Sequence, residues 1–247
     1  MEKQTNTSSS LTGKKVILLG GSSGFGLATA QAAATEGAQV IIVSSNQERI
    51  NKALQQLPAS VQGQAVDLSR EANIKSFFEQ TGNFDHLVYT AGENLTLNYL
   101  SDTDIEKAHS FFNLRFWGAL AAVKYASPYI NAGGSISLVS GTASLRPGKG
   151  WSLGSAICGA MEGVVRALAV ELAPIRVNSL VPGMIRTEMW NSFSEAERTQ
   201  IFKTAGETSL VKLVGEAEDV ALGFIYLMKQ RFVTGQNLVV DGGAVLV

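Results

Sequence analysis

The chain has 247 residues, 45% of them hydrophobic and 17% charged, with a net charge of −1 and one cysteine. That length and apolar share fit one globular α/β domain with a large core. Near-neutrality removes the electrostatic argument for nucleic acid or an anionic membrane surface, and the single cysteine excludes an internal disulfide framework and points to a reducing, cytoplasmic setting.

Residues 1–12 read as a flexible tail, polar at its start and without the apolar region of a signal peptide. The apolar run Val16–Leu19 then leads into Gly20-Gly21-Ser22-Ser23-Gly24-Phe25-Gly26 and the helix formers Leu27–Ala34. That order is strand, tight turn, helix. Glycine serves where a turn demands positive φ or where backbone must approach a ligand, and a helix start offers free N–H groups and a positive dipole end to a pyrophosphate. A purely structural turn also favours glycine, so the motif alone leaves both readings open.

Further strands are expected at 39–43, 61–66, 85–90, 135–139, 175–181 and 237–240, with helices near 47–56, 70–80, 102–131, 155–173 and 216–229. Strict alternation predicts a single-domain doubly wound sheet of parallel strands over 13–247. Residues 184–215 interrupt it with polar, helix-prone sequence containing Trp190 and Phe193, which reads as a lid over a substrate cleft or as a surface helical pair. No stretch reaches the roughly 18 uninterrupted apolar residues of a membrane span.

Ligands of such sheets bind outside the carboxyl ends of the strands. After the second strand stand Ser44, Ser45 and Asn46, where an acid would hold the ribose hydroxyls of NAD; hydroxyls and an amide suit a 2′-phosphate, with Arg49 one turn on. After the third, Asp67 followed by Leu68 suits an adenine, or Asp67 is a turn acid before Ser69. The fourth strand ends in Thr90-Ala91-Gly92, small enough for a ribose to lie on backbone. Beyond the sixth, Pro182, Gly183, Ile185 and Thr187 fall where the nicotinamide end would lie.

Glycines 20, 24 and 26, Tyr89-Thr90-Ala91-Gly92, the run Arg166–Asn178, Pro182-Gly183 and the terminal Val240-Asp241-Gly242-Gly243 together resemble the short-chain dehydrogenase/reductase family over residues 13–247. The resemblance implies a seven-stranded Rossmann fold, a bound nicotinamide dinucleotide and a homodimer or homotetramer; Ser44, Ser45 and Asn46 in place of an acid then favour NADP(H) over NAD(H), and the expected substrate is a small carbonyl compound.

The family works with asparagine, serine, tyrosine and lysine. Counting back from Glu162-Gly163 puts Gly154 at the tyrosine position and Cys158 at the lysine position; counting back from Gly118 and Pro128 puts Arg115 where the asparagine belongs, with Asn113 close by. Ser140 remains. None of the five tyrosines, at 89, 99, 125, 129 and 226, has a lysine four residues on, so no change of register restores the pair. Cys158 reads as packing or as a thiol beside the cofactor. Arg115, with Ser140 the candidate catalytic residue, needs an anion or carbonyl partner, either substrate or backbone. His86 and His109 read as structural. Two functions follow: an NADP(H)-dependent reductase of atypical mechanism, or a dinucleotide-binding protein without catalysis.

Overall fold

The computed structural model describes residues 10–93, 97–191 and 193–247. Seven parallel strands form the central sheet: β1 (Lys15–Leu19), β2 (Gln39–Ser44), β3 (Gln62–Ala65), β4 (Phe84–Tyr89), β5 (Ile130–Val139), β6 (Arg176–Pro182) and β9 (Asn237–Val240). Their spatial order is β3-β2-β1-β4-β5-β6-β9, so the order reverses between β1 and β4 and opens a crevice there.

Side chains alternate across each strand and so supply two cores. Ile17 and Leu19 of β1, with Leu87, Tyr89 and Ile136, face α3 (Glu71–Thr81), α5 (Ala119–Ala126) and α6 (Ser152–Glu171). Val16 and Leu18, with Ile42, Val88 and Leu180, face α1 (Gly24–Thr35), α2 (Gln47–Leu54) and α8 (Ala217–Lys229). Each fully buried aliphatic side chain contributes roughly 1.5–3 kcal/mol, so these two layers carry most of the driving force. The far end of β6 is pinned by Arg176, whose guanidinium donates to the carbonyls of Leu227, Met228 and Gln230 at the end of α8 (2.6, 2.8 and 2.8 Å). A cation there meets the negative end of the helix dipole.

The long helix expected over 102–131 is broken. Helix α4 (Ile105–Ser110) is followed by a π-helical turn over Asn113–Gly118, then α5, then a 3-10 turn through Pro128. Strand β5 starts earlier than expected, at Ile130, because its pairing with β4 slips between Phe84 and His86 and lets Ala132–Gly134 bulge. Helix α6 is long and apolar enough by length and composition to cross a membrane, yet it packs on the sheet beside β6 with a third of its apolar window buried. Residues 184–215 hold a two-stranded ribbon, β7 (Ile185–Arg186) with β8 (Gly215–Glu216), and helix α7 (Glu195–Thr208), which Ser194 and Glu197 start with a reciprocal capping box.

Candidate active site

The glycine turn sits at the mouth of the crevice. Gly20 has φ +91°, and a Cβ there would stand 2.5 Å from the amide nitrogen of Ala91; a Cβ on Gly26 would stand 2.3 Å from the Gly20 carbonyl. No other residue fits either position. Thr90 Oγ1 donates to the carbonyls of Leu19 or Gly20 (3.2 Å each), tying the end of β4 to this turn. Gly24 differs: its φ is +48°, and a Cβ would meet only the Thr187 side chain, at 3.7 Å. The surface above the first turn of α1, with Ser22, Ser23 and Phe25, is thus bounded by Thr187. The Thr187 hydroxyl is buried without a hydrogen-bond partner, as a hydroxyl awaiting a polar ligand would be.

The other predicted cofactor residues divide. Ser44 is half-buried at the end of β2, while Ser45 and Asn46 are exposed; the Asn46 carboxamide already caps α2 by accepting from the Arg49 amide (3.0 Å). Asp67 accepts from the amide and hydroxyl of Ser69 (3.0 and 2.6 Å), which hold its carboxyl below the usual range. The turn-acid geometry is therefore present, and one carboxylate oxygen is left facing Arg70 at 3.5 Å. Leu68 and Ile185 bury their side chains in the two cores, so only their backbone is available. Gly183 closes on β9: its amide donates to Val240 (3.0 Å), and a Cβ would stand 2.7 Å from that of Asp241.

Arg115, Ser140 and Cys158 converge. With Thr90 and Ala91 they line a cavity of about 50 Å³ at the carboxyl ends of β4 and β5. Arg115 reaches it from the π-helical turn, which the Tyr89 hydroxyl stabilises by donating to the Leu114 carbonyl (2.6 Å). Burial pushes the Tyr89 phenol far up, so Tyr89 is a strut rather than an acid. The Arg115 guanidinium donates to the Glu93 carbonyl and lies over the Phe111 ring at 5.4 Å; its Nε stands 3.8 Å from Glu93 Oε2, and neither of those two atoms has a hydrogen-bond partner. Burial lowers the Arg115 pKa, opposed by the Glu93 carboxylate.

Ser140 Oγ donates either to the Cys158 carbonyl (3.1 Å) or to Glu162 Oε1 (3.3 Å). Burial pushes the Cys158 thiol up, so it is a protonated cavity wall near neutral pH. Gly154 is buried beside Trp151. Tyr99 and Lys149 are exposed and line neither this cavity nor the cleft beside it.

That cleft, about 510 Å³, opens next to the cavity between the 142–151 segment and α7; Trp151, Met184, Ile201 and Leu213 give it apolar walls. Arg146 crosses its rim to the Ala244 carbonyl (2.5 Å). Sequence reasoning had no signal for Glu93 or for the carboxylate of Glu162, since each acts across more than 15 residues of chain.

A family model described as enoyl-(acyl carrier protein) reductase matches residues 20–245. Among curated proteins, the chain is 34% identical to the short-chain dehydrogenase/reductase ucsE of Acremonium over 98% of this chain and 99% of that one. It is 36% identical to the short-chain dehydrogenase/reductase ATR9 of Stachybotrys chlorohalonatus, over 96% and 98%. Among solved structures, a small-chain dehydrogenase in complex with NADPH superposes with TM-score 0.84 at 32% identity, covering 95% of this chain and all of that one. The MalC reductase/Diels-Alderase from Malbranchea aurantiaca superposes with TM-score 0.89 at 30% identity, over 96% and 98%. On these matches and the seven-stranded parallel sheet, the chain belongs to the short-chain dehydrogenase/reductase family of oxidoreductases.

Proposed function

We propose that the protein is an NADP(H)-dependent reductase of a small carbonyl compound, working without the family's tyrosine and lysine. The observation that carries this reading is the meeting of Arg115 and Ser140 in one cavity beside the glycine turn. The residues present fit the dinucleotide: the turn brings backbone to within contact of β4, the Thr187 hydroxyl lacks a partner, and the end of β2 carries Ser44, Ser45 and Asn46 instead of an acid. The solved relative that holds NADPH supports the same cofactor.

Bound reduced nicotinamide supplies a hydride. Ser140 orients the carbonyl oxygen, and Arg115, a fixed cation, stabilises the negative charge that grows on it. In this assignment Gly154 and Cys158 stand where the tyrosine and lysine would be, and Arg115 takes over the electrostatic part of the lysine's work. Holding donor and acceptor together supplies much of the rate even where acid catalysis is weakened. The apolar cleft beside Trp151 is the proposed substrate seat, with 184–215 as its lid. The exposed face of α6, with open space at Gly159 and Gly163 and Val170 82% exposed, is the proposed contact between copies.

One observation favours a role without catalysis: Arg115 already spends its guanidinium on the Glu93 carbonyl. A panel of ketones, aldehydes and diketones with NADPH, followed at the nicotinamide absorbance against enzyme-free controls, separates the two. Turnover is expected; tight NADPH binding with silence toward the whole panel would establish the non-catalytic role.

A further inference from the structure

We propose that Glu162 is the proton reservoir of this site, coupled to the reacting oxygen through the Ser140 hydroxyl; the inference rests on the reductase reading. Three side chains form the link. Glu162 Oε1 accepts from Ser140 (3.3 Å) and from Ser144, and Ser140 also lines the cavity that holds Arg115. Glu162 is half-buried on α6, one turn beyond Cys158, and its carboxyl touches the hydroxyl pair.

The chemistry needs such a group. A serine hydroxyl can pass a proton but cannot be its net source. Arg115 keeps its protons, and the Tyr89 hydroxyl points to Leu114. Among the described residues the titratable neighbour of the carboxyl is Cys158 on its own helix, which in turn faces Arg115 across the cavity. From the end of β5 and the 142–144 turn the carboxyl meets Ser140 and Ser144, neither of which titrates, while Asn237 on β9 donates to the Glu162 backbone carbonyl (3.4 Å).

In reduction, a hydride from the reduced nicotinamide, which is thereby oxidised, reaches the carbonyl carbon and the C=O π pair moves onto oxygen. That oxygen takes the Ser140 proton; Ser140 takes one from the Glu162 carboxylic acid; solvent reprotonates the carboxylate. In alcohol oxidation the carboxylate accepts along the same path. Glu162 touches no substrate atom and acts only through Ser140.

The test is Glu162→Gln, which keeps shape, beside Glu162→Asp, which keeps the carboxyl. With the parent, kcat for reduction should fall as pH rises; Gln should lower kcat by about 10² and flatten that dependence, while Asp should keep the slope at reduced kcat. An unaltered slope in Glu162→Gln would overturn the relay alone. A parent that reduces no carbonyl would overturn the reductase reading and the relay with it. A second readout needs no turnover: in cofactor-free protein, Ser140→Ala should shift the infrared carboxylate stretch that Glu162→Gln removes, and an unshifted band would also overturn the relay.

Discussion

Gly92 and Arg115 exclude each other's volume: a Cβ on Gly92 would stand 3.0 Å from Cζ of Arg115 and 3.1 Å from Nη1. The small residue after β4 therefore makes room for a cation. Arg115→Met is expected to cut kcat/KM for carbonyl reduction by about 10²–10³, the cost of losing one preorganised donor to a growing oxyanion, with NADPH affinity changed only a few-fold. Arg115→Lys should recover little, because the planar fork that spans Glu93 and the cavity is lost. Steady-state kinetics with a parallel NADPH titration checks both; equal loss of binding and turnover would make Arg115 a structural residue.

Cys158 and Arg115 share the 50 Å³ cavity, so a lysine placed at 158 alone would put two cations together. Cys158→Lys should lower the melting temperature by several degrees, and Arg115→Asn in the same chain should recover part of that loss. A double-mutant cycle on these changes should show a coupling of at least about 1 kcal/mol, as contacting residues do. Gly154→Tyr is a separate problem: its Cβ fits 3.5 Å from Trp151, but the ring beyond it requires Trp151 to move. The triple variant is the one expected to reduce a small diketone faster than the parent.

The glycine turn and the fold around it were legible because their signals are local. Positive φ at Gly20 and Gly24, and the alternation of strands and helices, are imposed within a few residues of chain. The substrate half was not. The run 102–131 reads as one helix, but docking Leu114 onto Tyr89 and Arg115 onto Glu93 winds 113–118 into a π-turn, a tertiary demand that overrides propensity. Ser140 was visible as a residue type at a strand end; its carboxylate partner, 22 residues on, became visible only when α6 was laid against β5.

In the proposed reading, the end of β2 sets cofactor choice. With Ser44, Ser45 and Asn46 and no acid, NADPH should bind more tightly than NADH. Ser44→Asp should reverse the order by repelling the 2′-phosphate and accepting from the ribose hydroxyls. Calorimetric titration of both cofactors into both proteins decides it, and a parent that already prefers NADH would refute this reading of the loop.

Gly24 gives a cleaner cofactor knock-out than its neighbours. A side chain at Gly20 or Gly26 would collide with backbone and threaten the fold, whereas at Gly24 it meets only Thr187, 3.7 Å away. Gly24→Val should keep the circular dichroism spectrum, lose about 1–3 kcal/mol to its left-handed φ, and abolish dinucleotide binding by covering the helix start. Retained NADPH affinity would move the pyrophosphate elsewhere.

His86 should govern acid stability. It is buried in β4 with Nδ1 2.8 Å from the Ser135 hydroxyl, and burial, reinforced by Arg176, pulls its pKa down to about 4 from 6.5. Between those values the unfolded chain binds the proton and the folded one does not, so the slope of unfolding free energy against pH is positive. Stability should be full above about pH 6.5 and fall as the pH drops toward 4, by roughly 3 kcal/mol in total at 1.36 kcal/mol per unit. His86→Asn, which keeps an acceptor for Ser135 but cannot titrate, should flatten that segment of the curve. Urea midpoints of parent and variant from pH 4 to 8 measure the difference, and parallel curves would show that this imidazole does not drive acid unfolding.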